Sequence, residues 1–173
     1  MGHPFKNGQN WSKGIPLTGI DKILIGLSLI VLVVSLAHLG MVYPTLPETV
    51  PNHIGFNGEP DGYGHRYELL IFAAVEVACW VLLFICNFRP EGISLPKALV
   101  NRRPPEAVVV GTRYFLNSTL LVVTLLVAYI LESTIQIALG TMGLSVAVIW
   151  GLVAVLIIII AVYCYWLWRG HNE

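Results

Sequence analysis

Four stretches of the chain are almost continuously apolar: about Ile23–Val42, Leu69–Phe88, Tyr114–Ile137 and Leu144–Trp168. Crossing a bilayer's hydrocarbon core takes roughly 20 mostly apolar helical residues. Each stretch therefore predicts a transmembrane helix. None alternates with period two, which excludes the strands of a membrane barrel. The fourth is the most apolar, with Leu156–Val162 nearly all β-branched. Such residues weaken a helix in water, but in lipid only a helix or a closed barrel satisfies the backbone. The third is the most polar, with Asn117, Ser118 and Thr119 near its start and Glu132 and Gln136 near its end. The pattern predicts an all-α membrane protein, one membrane domain over residues 1–173. Four transmembrane helices form a bundle, with a structured extracytoplasmic loop between helices 1 and 2.

Composition agrees. Hydrophobic residues make up 56% and charged residues 12% of the 173, and mean hydropathy is +0.75. Soluble domains carry about 25% charged residues. A net charge of zero gives no reason to expect a nucleic-acid partner. Charge placement matters more than its sum. Nine of the ten lysines and arginines lie before the first segment, between the second and third, or after the fourth; Arg66 alone lies in the loop after the first. Because basic residues collect on the cytoplasmic side, both termini and the basic loop 89–113 are expected inside, and the loop 43–67 outside, a plasma membrane. Tyr163, Tyr165, Trp166 and Trp168 suit an interfacial aromatic belt at the inner end. Lys22, the apolar run and Ser35-Leu36-Ala37 also fit a signal peptide, but the run continues to Val42, long enough to span. Cys79, Cys86 and Cys164 all lie in apolar runs and read as packing residues.

The two longer loops differ. Asn87–Arg113 carries Pro90, Pro96, Pro104 and Pro105 and is expected to be irregular or to lie along the surface. Its basic residues signal topology and could also touch anionic lipid. Tyr43–His65 is polar and dense in turn residues. Pro44, Pro47 and Pro51 favour an extended entry. Asn57-Gly58 and Pro60-Asp61-Gly62 read as turns. The loop should be compact, with a short strand around Val50–Phe56.

Several ionisable residues fall toward the same outer end: His38, Glu76 and Glu132 inside the spans, and His53, Asp61, His65 and Glu68 in or beside the loop. Charged groups within spans are rare and usually face the bundle interior or a polar cavity. His65 and Glu68 have the i, i+3 spacing used by bundle metal sites, and Glu68 and Glu76 share a helix face. His53, His65, Glu68 and Glu76 are thus the candidate ligands for zinc or copper, although no compact ligand signature appears. Each also has a structural reading. Glu76 could hydrogen-bond His38, Ser133 or Thr134 to hold helices together. Asp61 could be a turn residue, and His53 could pin the loop rather than bind a ligand. No Ser-His-Asp constellation or phosphate-binding loop is visible. No cofactor is expected, and a bound divalent metal is the alternative.

Pro51-Asn52-His53 followed by Asn57-Gly58-Glu59-Pro60-Asp61-Gly62, after a Tyr43-Pro44 and Leu46-Pro47 lead, resembles a bacterial and archaeal family called domain of unknown function 1648. Its pattern is proline, any residue, histidine, an aromatic, then glycine-glutamate-proline-aspartate-glycine. Asn101-Arg102, Arg113-Tyr114 and Tyr129-Ile130 resemble segments of small four-span members. The sequence departs at Ile54-Gly55, where the family usually has an aromatic and a small polar residue. The same motif heads larger membrane proteins that give immunity to a secreted sporulation-delay toxin and pass its presence to a repressor. The resemblance implies membrane location and an exposed motif. The expected function is therefore non-enzymatic: surface sensing, toxin-immunity-like shielding, or docking, with membrane lipid, another membrane protein or a secreted peptide as partner. The alternatives are an accessory subunit of a membrane complex, or an enzyme or carrier using His38, Glu76 and Glu132 as a proton or metal site.

Overall fold

A computed structural model describes residues 14–88, 103–141 and 143–170. It is mostly helical, and four helices are long and apolar enough to cross a membrane. Helix α1 spans Gly19–Val42, α2 spans Glu68–Cys86, α3 spans Pro105–Ala138 and α4 spans Val146–Arg169. Between α1 and α2 lie a short 3-10 turn, Tyr43–Thr45, and a two-stranded antiparallel hairpin, β1 Thr49–Ile54 and β2 Pro60–His65. The expected strand is thus half of a hairpin.

Two helix starts fall earlier than hydropathy indicates, for local reasons. Thr18 and Asp21 form a capping box: the Thr18 hydroxyl accepts from the Asp21 amide at 3.2 Å, and Asp21 accepts from the Thr18 amide at 2.9 Å. That begins α1 four residues before the apolar run. Helix α3 starts at Pro105, behind Pro104, because proline at the first position loses no helical bond. Residues 105–113, expected as irregular loop, are therefore helical. Residues 89–102 of that loop lie outside the described residues. At 34 residues α3 is about 50 Å long, against about 30 Å of hydrocarbon.

Helix α3 is the hub. Helices α1, α2 and α4 and strand β1 all pack on it, whereas α2 and α4 make little direct contact with each other. In its most apolar window 39% of α3 is buried, against 6% of α4, so α4 is almost entirely peripheral. At the hairpin end Leu39, Leu46, Val50, Leu69, Ala73, Leu131 and Ile135 form one buried cluster. It draws on α1, α2, α3 and β1, and so seats the hairpin on the helices.

Helix α4 packs tightly on α3 at Gly111. A Cβ there would stand 2.5 Å from the Trp166 ring. Nearby, Phe115 stacks on Tyr163, whose hydroxyl pairs with Thr112 at 2.7 Å.

Candidate functional site

The hairpin is fixed at both ends. Val50, fully buried, anchors β1. Arg66, just past β2, donates to the Leu46 carbonyl at 3.2 Å and lies over the Tyr43 ring at 5.4 Å. Glu68 accepts from Asn52 at 3.0 Å and from the His65 amide at 3.2 Å, tying the first turn of α2 to the sheet. The tip is a tight turn. The Gly58 amide donates to the Gly55 carbonyl at 2.9 Å, and Gly55 to the Glu59 carbonyl at 2.8 Å. Asn57 accepts from the Glu59 amide at 3.1 Å and donates to its carboxylate at 2.8 Å. Gly58 has φ +83°, and its ideal Cβ would lie 2.9 Å from the Leu144 carbonyl oxygen. The tip therefore rests on the α3–α4 loop, at a point that accepts only glycine without strain.

Asp61 is not a turn residue. Pro60, Asp61 and Gly62 belong to β2, with His53 opposite Gly62 and Pro51 opposite Tyr63. Register shifts occur on both sides of His53. Such irregularities re-aim side chains, and here His53 Nδ1 pairs with Asp61 Oδ1. Both side chains are well exposed, 72% and 56%. As an exposed hydrogen-bonded pair this is worth at most about 1 kcal/mol, too little to be the hairpin's anchor.

The pair stands on the edge of a cleft of about 500 Å³. Strand β1 and the hairpin tip form its roof, and Ile130 and Thr134 of α3 its floor. Phe72 of α2 and Ile149 and Trp150 of α4 line its sides. The cleft lies between α2 and α4, which both pack on α3 and make little contact with each other. No lysine or arginine lines it.

The polar residues inside the spans do not form one cluster. His38 Nδ1 pairs with Glu132 Oε2 at 2.6 Å, joining α1 to α3. Glu132 also accepts from Gln136 at 2.6 Å, and Gln136 in turn pairs with Thr141. Glu76 bonds neither His38 nor the hydroxyls of Ser133 and Thr134. Its Oε2 accepts from Ser35 at 3.2 Å, and its buried Oε1 has no partner. One turn deeper on α2, Trp80 donates to Ser28 of α1 at 3.0 Å. Small hydroxyl residues on α1 thus let α2 bond across at two levels. His38 and Glu132 line a separate cavity of about 610 Å³ between α1 and α3.

The proposed metal ligands are dispersed. His53 is paired with Asp61, Glu68 with the sheet and Glu76 with Ser35. His65 stacks on Tyr67 and accepts from its amide. Helix α2 begins only at Glu68, so the His65–Glu68 spacing is not helical. Among the described residues no group of three or more His, Cys, Asp or Glu is placed to hold a metal ion.

A second polar cluster, at the opposite end, is not anticipated by hydropathy. Asp21 is fully buried and accepts from Asn117 at 2.8 Å. Arg113, 5% exposed, donates to the carbonyls of Asn87, Ile15 and Pro16 at 3.1, 2.8 and 3.2 Å. This arginine clamps three chain segments rather than meeting lipid headgroups. Arg103 donates twice to the Trp166 carbonyl, at 2.6 and 3.0 Å, and lies 4.1 Å from the Trp166 ring centroid. A cation there completes carbonyls left open by the end of α4. The signals in sequence were the Thr18/Asp21 capping box and the i, i+4 spacing of Arg113 and Asn117.

The hairpin and parts of its two flanking helices carry a family match. Residues 29–77 match the family described as Domain of unknown function (DUF1648). The matched segment runs from mid α1, through the hairpin and the His53–Asp61 pair, and past Glu76 to Val77. An uncharacterised protein of Archaeoglobus fulgidus is 40% identical over 94 residues, covering 50% of this chain. The alignment spans about half, 51%, of that relative's length. No solved structure matches.

Proposed function

We propose that this is a non-enzymatic binding protein of the plasma membrane. Its hairpin lies outside, both termini lie in the cytoplasm, and the cleft under the hairpin receives a membrane-borne ligand. The observation that carries the reading is the His53–Asp61 pair standing over an apolar cleft of about 500 Å³ that α2 and α4 leave open. A pair so exposed adds little to stability, which leaves recognition as its use. Orientation is supported by Lys22, Arg103, Arg113 and Arg169 at the end away from the hairpin, with Arg66 alone near it. Docking of a partner and shielding against a surface-active molecule are both uses such a cleft would serve.

Photo-crosslinking tests this. A photoreactive residue at Phe56 or Ile149 in membranes should capture a discrete ligand, and His53→Ala or Asp61→Ala should reduce the yield severalfold. Capture that is diffuse, or unchanged in both variants, would overturn the reading. Accessibility of a cysteine placed at Asn57 to a membrane-impermeant reagent on whole cells tests the orientation.

A further inference from the structure

We propose that the cleft recognises an organic ammonium group, carried on an amphiphile that enters sideways from the membrane. The inference rests on the binding reading above and adds the chemistry of the ligand.

Three aromatic rings from three different elements line the cleft: Phe56 from the hairpin tip, Phe72 from α2 and Trp150 from α4. Phe56 and Trp150 are 94% and 57% exposed, so neither ring is used up in core packing. Aromatic faces are negative and attract a cation within about 6 Å. Asp61 is the lone carboxylate lining the cleft, with no lysine or arginine to neutralise it. His53 takes its Oδ1, which leaves Oδ2 for a ligand. An anion would meet both the carboxylate and the ring faces. A purely apolar occupant would remove Oδ2 of Asp61 from water without a partner. An alkylated ammonium satisfies both, because its methyl or methylene groups pack on the rings while its charge faces Asp61.

The lateral route follows from the helices. Ile130 on the floor and Ile149 on the side of the cleft are apolar, so an alkyl chain lies along them while the head reaches the hairpin. A soluble ligand would have no use for that floor.

The test places the full chain in phosphatidylglycerol nanodiscs, which carry no ammonium, and labels it with 5-fluorotryptophan. The Trp150 resonance is assigned by its loss in Trp150→Phe. Two lipids of identical chains are titrated in: phosphatidylcholine, and a lipid whose head carries 3,3-dimethylbutanol, the uncharged isostere of choline. The choline lipid should shift the Trp150 resonance at about a tenfold lower mole fraction, the size expected of one good cation–π and charge contact. Asp61→Asn should bring the ratio of the two lipids close to one. Phe72→Leu, which leaves the charge and the hairpin alone, should lower it. Equal response to both lipids in the wild type, or an unchanged ratio in both variants, overturns the ammonium assignment while leaving the cleft as a binding site. If neither lipid moves the resonance, both readings fall.

Discussion

Gly58 is where the hairpin tip meets the α3–α4 loop, and Gly58→Ala tests whether that contact holds the roof of the cleft in place. The residue sits at φ +83°. For an L-residue the left-handed region costs about 1–2 kcal/mol. The added methyl would stand 2.9 Å from the Leu144 carbonyl oxygen and 3.0 Å from Val146 Cγ2. The first contact is backbone, so relief requires the loop or the tip to move, at about 1–3 kcal/mol. Alanine also restricts the unfolded chain, which offsets about 0.4–1 kcal/mol. The net loss is about 2–4 kcal/mol, or roughly 30-fold to 1000-fold in the opening equilibrium of the hairpin. Hydrogen exchange in nanodiscs reads this directly. The Gly55 amide, bonded to Glu59, and the Arg66 amide, bonded to Glu48, should lose that much protection. Gly55→Ala is the comparator: the nearest atoms, at 3.0 and 3.2 Å, are the movable ends of Asn57 and Asp61, so the loss should be smaller. Gly58→Asn separates the two causes, since asparagine tolerates positive φ but keeps the collision. Unchanged exchange in Gly58→Ala would refute the docking of the tip.

Gly111→Ala should separate α3 from α4 at Trp166, lowering stability to unfolding in detergent by about 1–3 kcal/mol; a stability equal to wild type would show that the two helices already slide freely there. Arg113→Lys should cost about 1–3 kcal/mol despite keeping the charge, because one ammonium cannot reproduce the fork that reaches Asn87, Ile15 and Pro16, and full rescue by lysine in the same assay would contradict this. A double-mutant cycle on His38→Ala and Glu132→Ala should give a coupling near 0.6 kcal/mol and below about 1.7, while zero coupling would mean the pair does not tie α1 to α3.

Hydropathy was enough to locate the helices, because the bilayer imposes one demand that apolar length alone answers. It misplaced the start of α3 because Val108, Val109 and Arg113 precede the span, and a helix outside lipid is set by capping and packing. The hairpin was half legible. Proline and glycine marked the turns, but Pro60-Asp61-Gly62 has the composition of a turn and the geometry of a strand. What decides it is cross-strand: Pro60 lies opposite Ile54 and Gly62 opposite His53. Pairings of this range leave no trace in local composition. The same holds for the polar residues of the spans. His38, Glu76 and Glu132 all lie toward the hairpin end of their helices, yet Glu76 reaches Ser35 and His38 reaches Glu132. Which residues meet depends on the rotation of each helix about its axis, a quantity hydropathy does not contain. The Arg113 clamp was only partly legible for a related reason: its partners are backbone carbonyls, which every residue supplies.

The division of labour among these contacts bears on how the cleft would work. The polar links join α1 to α2 through Ser35–Glu76 and Ser28–Trp80, and α1 to α3 through His38–Glu132. Helix α4 is held to α3 by aromatic packing, the Thr112–Tyr163 bond and Arg103 at its far end, and by the Tyr129–Ser145 bond and the hairpin tip against residues 144–146 at its near end. Helix α4 is therefore attached to α3 near both of its ends and makes little contact with α2. Charged and polar residues that bond across helices hold a fixed geometry, whereas apolar contacts between helices gain little over contact with lipid tails. The wall of the cleft that carries Trp150 lies between those two attachments. The hairpin touches both sides, through β1 on α3 and through Gly58 on the loop before α4. A ligand seated between His53, Asp61 and Trp150 would bind the hairpin and α4 together. Hydrogen exchange at the start of α4 should then slow when the cleft is filled, and Gly58→Ala, by lifting the tip off Leu144, should abolish that coupling before it abolishes binding.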